Sequence, residues 1–395
     1  MSESPRPLRV AMIGTGFMGA AHSQGWRVAP RFFDLDVSPE MTLLVGREPA
    51  KTTAAAHKWG WQDVSTDWRE AIARDDIDVI DIVTPGDSHA EIAIAALTAG
   101  KHVLCEKPLA NTVEEARAMA EAALRAAEQG IFSMVGFTYR RVPATTLARE
   151  LVAAGRIGQI RQVRAVYLQD WLLDENGPLT WRLQKDRAGS GALGDIGAHA
   201  VDLAQFITGV NLTAVSGTLE TIVAERPLLA EPTGLSGTAS TERGAVTVDD
   251  LALFTGRFGT QHDGGGFLGS FEATRFSTGR KNALRIEVAG SKGALAFDLE
   301  RMNELEFFDA TAPSNSQGFT TILVTEPDHP YIDAWWPAGH MLGYEHGFSH
   351  QARDFVQAVA TGTQPTPSFL DGLQIQQVLA AVEKSAAADS IWTQV

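Results

Sequence analysis

Cysteine is nearly absent: Cys105 stands alone among 395 residues. That excludes an internal disulfide and a cysteine-built zinc site, and the residue reads as a small buried hydrophobe in a reducing cytosol. Basic residues are also scarce, with 33 Lys and Arg against 48 Asp and Glu for a formal charge of −15. A surface of that sign repels phosphate backbones and anionic lipid, so neither nucleic acid nor membrane is an expected partner. No apolar run approaches the ~20 residues needed to span a bilayer. Met1 to Arg9 holds prolines and charges with neither an h-region nor a cleavage site. No signal peptide is expected, and the chain is placed in the cytoplasm.

What the chain does have is ordinary globular composition, 44% hydrophobic and 21% charged, over a length that suits two domains better than one core. Its first ~135 residues alternate apolar runs with helical stretches, the pattern of βα units and a parallel sheet. Leu8–Ile13, Met41–Val45, Val79–Val83 and Lys101–Leu104 read as strands. Pro49–Trp59, His89–Ala99 and Val113–Gln129 read as helices, the last capped by Thr112 with Glu114 and Glu115 in its first turn. Beyond residue ~140 strands follow one another: Ile160–Gln169, Leu251–Phe258, Gly266–Phe276, Leu284–Ala289, Ala294–Asp298 and Glu304–Asp309. Gly290-Ser291-Lys292-Gly293 supplies a hairpin turn, and short connections predict a mostly antiparallel sheet. Glu225–Gly244, rich in Gly, Pro, Ser and Thr, reads as a loop, and helices over about 344–361 and 370–388 come last.

The first strand runs straight into Gly14-Thr15-Gly16-Phe17-Met18-Gly19, a G-x-G-x-x-G that opens a helix. Such glycines give a tight turn, room for a pyrophosphate and close helix–strand contact, while the helix N-terminus faces the phosphates. Residues 1–137 are therefore expected to form a Rossmann domain, and 138–395 a second α/β domain. The acid expected at the end of strand two, where it would hold a ribose 2′-OH, is replaced by Gly46-Arg47. Arg47 suits the 2′-phosphate of NADP, stacking on adenine, or plain solvation. Thr84 and Pro85 close the central strand beside the expected dinucleotide, and His89, at the next helix start, suits capping or packing.

Two segments carry candidate chemistry. In Glu106-Lys107-Pro108, a lysine at the carboxyl end of the sheet has an ammonium suited to a developing alkoxide, or is simply a surface lysine. In Gly189-Ser190-Gly191-Ala192-Leu193-Gly194-Asp195-Ile196-Gly197-Ala198-His199, a glycine loop leads into a helix with Asp195 and His199 at i and i+4, on one face. A carboxylate beside an imidazole serves acid–base catalysis near neutral pH; an intrahelical pair without chemistry has the same spacing. Asp202 suits either orientation of the imidazole or a solvated face. A metal site is not expected, since no third ligand stands at metal-like spacing.

GTGFMG, TP with a following His, EKPLA and GDIGAH, in that order over essentially the whole chain, resemble the Gfo/Idh/MocA oxidoreductase family. The resemblance implies a Rossmann domain plus an α/β domain whose large open sheet builds a homodimer or homotetramer. It implies Lys107, Asp195 and His199 as the catalytic trio with His199 as base, and a Lys107–Pro108 bond that is often cis. Segments 137–141, 181–182 and 340–346 are similar to those of the sugar and inositol dehydrogenase branch, which favours NAD, with NADP not excluded. Gly14, Gly16, Phe17, Met18, Gly19, Arg47, Thr84, Pro85, His89, Glu106 and Lys107 are the expected cofactor residues. Tyr139, Arg140, Trp181, Arg182 and His340 are candidates for a sugar or polyol substrate, although a tryptophan more often packs a core. The expected reaction moves a hydride between NAD(P) and a secondary alcohol of a cyclic sugar or polyol. Two alternatives stay open: transient oxidation in the service of glycoside cleavage, and a nucleotide-binding sensor without turnover.

Overall fold

The computed structural model describes residues 6–233, 236–259 and 266–395. They divide into two compact units: the first runs to Thr138 and takes in Gly343–Leu373, and the second holds Tyr139–Leu342 and Gln374–Val395. A single boundary after residue 137 does not describe the return of 343–373 to the first unit. No helix among the described residues is long and apolar enough to cross a membrane.

In the first unit strands and helices alternate: β1 (Leu8–Ile13), α1 (Phe17–Phe32), β2 (Pro39–Val45), α2 (Pro49–Trp59), β3 (Asp63–Ser65), α3 (Trp68–Ala73), β4 (Val79–Ile82), α4 (His89–Thr98), β5 (His102–Cys105), α5 (Val113–Ala127) and β6 (Ser133–Val135). The strands form a parallel sheet in the order β3-β2-β1-β4-β5-β6. This is the Rossmann order, with its switch point between β1 and β4. All four residues of β4 are buried, as expected for a central parallel strand covered on both faces. Thr112 caps α5 by accepting from the Glu115 N–H, and the Glu115 side chain reaches back to the Thr112 N–H.

The second unit holds α6 (Pro143–Ala153), β7 (Ile160–Leu168), α7 (Lys185–Ala188), a π-helical turn at Leu193–Gly197, α8 (Ala198–Thr208), β8 (Leu212–Glu220), β9 (Glu225–Thr233), β10 (Ser236–Ala245), β11 (Leu251–Phe258), β12 (Phe267–Thr274), β13 (Ala283–Gly290), β14 (Gly293–Asp298), β15 (Glu304–Asp309) and β16 (Phe319–Leu323). Helices α9 (His346–Thr361) and α10 (Phe369–Ala387) follow, then β17 (Thr393–Gln394). Nine strands form one sheet in the order β16-β15-β14-β13-β7-β12-β11-β8-β17, antiparallel at every pairing except β7 with β12. Along β11 residues alternate buried and exposed, so one face makes core through Phe254 and Phe258 while Leu253 on the other is exposed. Helix α8 packs against β7, β12 and β13.

The described residues of Glu225–Gly244 are not a loop, and residues 234–235 lie outside the described ones. β9 and β10 pair antiparallel, with register shifts between Thr238 and Ala239 and between Ala239 and Arg243. A two-stranded ribbon needs no alternating apolar face, so its Gly, Pro, Ser and Thr content hides backbone pairing. Its base is anchored: Leu179 N–H donates to the Pro227 carbonyl at 2.7 Å, and Leu228 packs against Leu172, Leu179, Leu183, Val246 and Val248. In the first unit, α9 lies along α1, with Phe355 edge-on to Trp26 at 6.2 Å.

Candidate active site

The glycine turn is built by close contacts on one side and open space on the other. Gly14 has φ +127°, and a Cβ there would lie 2.8 Å from the Val83 carbonyl oxygen, so only glycine fits. A Cβ at Gly19 would lie 2.6 Å from the Gly14 carbonyl oxygen, so turn and helix meet backbone to backbone. At Gly16, the N-cap of α1, an added Cβ meets no heavy atom within 4 Å. That space faces a helix N-terminus with no side-chain cap and no acid in its first turn. An anion such as a pyrophosphate suits this space, and the unbonded N–H groups that would meet it belong to the first turn of α1. Phe17 is half exposed and stacks on Tyr344, while Met18 packs against the core. Arg47 is exposed beyond β2, after a Gly46 whose Cβ would strike Thr15 and Thr52.

Beyond β4 and β5 the backbone is tied by a histidine. His89 is buried, with Nε2 2.9 Å from the Thr84 carbonyl and Nδ1 3.1 Å from that of Pro108. It joins the Thr84-Pro85 segment to the Glu106-Lys107-Pro108 segment from beneath. The Lys107–Pro108 peptide is cis, and Lys107 is half-buried. Glu106 is buried, and its Oε2 accepts the Lys107 backbone N–H at 3.2 Å.

In the second unit the helix bearing Asp195 and His199 does not begin as an α-helix. Leu193–Gly197 is a π turn, in which the Ala198 N–H reaches back to the Leu193 carbonyl. Asp195 therefore lies in the π turn and His199 in the first turn of α8. The wider turn still leaves residues four apart near one face, and such bulges concentrate at functional sites. Asp249 holds the entrance: its Oδ1 accepts from the Gly191 N–H and its Oδ2 from the Leu193 N–H, both at 2.7 Å. A Cβ at Gly191 would lie 1.7 Å from the Asp249 carbonyl oxygen, so the loop passes the segment leading into β11 with no room for a side chain.

Each proposed site group in this unit is anchored. The His199 ring packs on Tyr139 at 4.5 Å and edge-on to Tyr167 at 5.9 Å. The Tyr139 and Tyr167 hydroxyls lie 2.8 Å apart, and Tyr167 donates to Asn282 Oδ1. Asp195 faces the fully buried Arg275, whose Nη1 is 3.6 Å from its Oδ2. Arg275 also donates to the Asp249 carbonyl at 3.1 Å and lies 3.8 Å from Asp250. Burial lifts the Asp250 carboxyl above the ordinary range, against N–H bonds from Val223 and Ile222 and the nearby Arg275. Burial likewise holds the Arg182 guanidinium below its usual value, with Asp195 opposing and Arg275 adding to the shift.

Among the substrate candidates, Tyr139 is buried beside His199, and Arg182 lies over the Trp181 ring at 4.4 Å. Arg140 grips Asp202 through Nε at 2.9 Å and Nη2 at 2.5 Å. Asp202 is buried in that pair, so it is not a solvated face. His340 is exposed on a loop, its Nδ1 2.8 Å from the Pro337 carbonyl. Arg275, Asp249 and His22, which meets the buried Asp81 of β4, were not legible in the sequence. The available signals were acids and bases inside apolar runs: Asp81 within Val79–Ile82, and Arg275 at the end of a strand.

Comparison with known proteins agrees with this geometry. Residues 8–137 match the oxidoreductase-family NAD-binding Rossmann domain, and residues 145–296 the GFO/IDH/MocA C-terminal domain. The chain is 42% identical over 393 residues to levoglucosan dehydrogenase of Pseudarthrobacter phenanthrenivorans, covering 98% of both chains. The crystal structure of an oxidoreductase domain protein from Kribbella flavida superposes with a TM-score of 0.93 at 61% identity, over 99% of this chain and 100% of that one. A levoglucosan dehydrogenase in complex with NADH and levoglucosan superposes with a TM-score of 0.91 at 41% identity, over 99% of this chain and 100% of that one.

Proposed function

The chain belongs to the Gfo/Idh/MocA oxidoreductase family and is an NAD(P)-dependent sugar or polyol dehydrogenase, and we propose that it oxidises a secondary alcohol of a levoglucosan-like cyclic sugar. The full-length match to levoglucosan dehydrogenase carries this reading. It favours a dehydrogenase over glycoside cleavage through transient oxidation and over a sensor without turnover. NAD is the cofactor: the chain carries the NAD-binding domain, and the matching levoglucosan dehydrogenase was solved with NADH.

When bound, the nicotinamide supplies the acceptor for the hydride that leaves the substrate carbon. Gly14, Gly16 and Gly19 shape the phosphate turn, and Phe17 and Met18 donate backbone N–H groups to it. Thr84, Pro85 and Glu106 would hold the nicotinamide end, while His89 acts through the Thr84 and Pro108 carbonyls it meets. His199 takes the hydroxyl proton, and Lys107 stabilises the alkoxide that develops. Asp195, paired with Arg275, accepts a hydrogen bond from the histidine or from a neighbouring hydroxyl. Tyr139, Arg140, Trp181, Arg182 and His340 supply polar and aromatic contacts to the ring. The enzyme is cytoplasmic, and it assembles as a homodimer or homotetramer through its open sheet.

The test is NADH formation at 340 nm on a panel of sugars and anhydrosugars, with NADP in parallel. His199→Ala should lower kcat by roughly 10²–10⁴ with NADH affinity nearly unchanged. Near-full turnover of that variant on a good substrate removes His199 as the base. Arg47→Ala should affect NAD and NADP alike if the exposed guanidinium serves no 2′-phosphate.

A further inference from the structure

The first unit buries a charged cluster of which the proposed chemistry uses only Glu106. His22 lies on α1, 2% exposed, between two carboxylates. Its Nδ1 is 3.0 Å from both oxygens of Asp81 on β4, and its Nε2 is 3.0 Å from Glu106 Oε1 beyond β5. Trp26 Nε1 donates to Asp81 Oδ2 at 2.7 Å, and Phe348 covers the imidazole ring at 5.5 Å. Burial alone opposes a charge on His22, but the two carboxylates outweigh it and push the imidazole up to about 10. Both ring nitrogens therefore carry protons at neutral pH and donate. The neighbouring Cys105 thiol is pushed well up by burial and by Glu106 and Asp81, so it stays neutral.

A histidine that merely fills space needs no such surroundings, because burying three charges costs desolvation that apolar packing avoids. What the cluster provides is direction. Glu106 Oε1 is held by His22 and walled by Gly136, where a Cβ would come within 2.6 Å. Glu106 Oε2 is then aimed at the Lys107 backbone N–H. The Glu106 N–H is fixed in turn by the Ile82 carbonyl at 2.9 Å. Three segments distant in sequence, the helix after the phosphate turn, the central strand and the lysine loop, thus converge on one imidazolium.

We propose that His22 is a positioning residue for the Lys107 amine, acting through Glu106. The imidazolium fixes one carboxylate oxygen so that the other fixes the backbone from which Lys107 extends. The proposal rests on the reading that gives Lys107 the developing alkoxide. The full chain is compared with His22→Gln, Glu106→Gln, Lys107→Ala and the His22→Gln/Lys107→Ala double variant. Levoglucosan and NAD are the probe pair, and NADH affinity is read by fluorescence. Reactivity of Lys107 towards an amine-selective acylating reagent is followed across pH by peptide mass spectrometry.

His22→Gln should lower kcat by about tenfold or more, as expected when a reacting group is misplaced, with NADH affinity little changed. The pH profile of Lys107 acylation should move, and the double variant should be no worse than Lys107→Ala alone. Wild-type turnover with an unmoved acylation profile in His22→Gln overturns the proposal, as does a loss additive to that of Lys107→Ala. Should His22→Gln not fold, Glu106→Gln reads the same link with nearly unchanged side-chain shape. Normal turnover in Lys107→Ala would sink the role given to Lys107 instead, while the acylation profile would still decide whether His22 positions it.

Discussion

Arg275 holds Asp195 from inside the second unit, its Nη1 3.6 Å from Asp195 Oδ2 and its side chain without exposed surface. Breaking a buried pair by removing one partner costs about 3–5 kcal/mol, because the other charge stays behind. Here Asp250 would be the group left buried. Arg275→Met should therefore melt well below the wild type in calorimetry. Arg275→Lys keeps the charge without the planar fork. It should stay folded and lose turnover by about tenfold through a displaced Asp195. Wild-type turnover in that variant would show that Asp195 needs no fork behind it.

Asp249 offers a second handle on the same turn. Its two oxygens accept the Gly191 and Leu193 N–H groups, and hydrogen bonds to a charged acceptor are worth about 1.5–3 kcal/mol each. Asn at 249 keeps one acceptor and turns the other into a donor facing an N–H. Asp249→Asn should be destabilised by a few kcal/mol in urea unfolding. A midpoint equal to that of the wild type would mean the turn holds itself.

Two glycines give opposite expectations. At Gly16 a side chain meets open space, so Gly16→Val should melt as the wild type does and fail only in NADH titration. At Gly191 a Cβ would overlap the Asp249 carbonyl oxygen at 1.7 Å, so Gly191→Ala should unfold at lower temperature. Undiminished NADH binding by Gly16→Val would remove the phosphate turn from the assignment.

Features written in consecutive residues were legible in the sequence. The glycine turn, the Glu-Lys-Pro segment, the Asp195–His199 spacing, the Thr112 cap and the hairpin at residues 290–293 each sit within a dozen residues, where periodicity and turn chemistry act. What supports them was not. His22 is 59 residues from Asp81 and 84 from Glu106, and Gly191 is 58 from Asp249. Such partners obey no local period. The β9–β10 ribbon was missed for the converse reason, since its pairing lies in the backbone and its composition suits a loop. The π turn leaves no trace in spacing, because i and i+4 fall near one face in either helix.

The His22 cluster carries a pH signature of its own. The imidazole is raised from 6.5 to about 10 in the folded chain. Its stabilisation is therefore complete below pH 6.5 and declines as pH rises towards 10. The melting temperature of the wild type should fall over that interval more steeply than that of His22→Gln. Parallel slopes would mean that His22 is neutral when folded.

The π turn at Leu193–Gly197 also makes the motif fragile in an unusual direction. One surplus residue is accommodated there without breaking the helix, so losing one would let the turn relax to α geometry and leave a smoother, better-bonded segment. The flanking segments would keep their relation, because the wide turn already absorbs the ~100° that the extra residue would otherwise add. Asp195 and His199 would then stand three apart instead of four, still on one side but displaced along it, while α8 and the sheet beneath it need not unravel. A single-codon deletion could thus yield a chain as sturdy as its parent and chemically mute. For lineages descended from such enzymes, this is a short path by which a scaffold outlives its reaction.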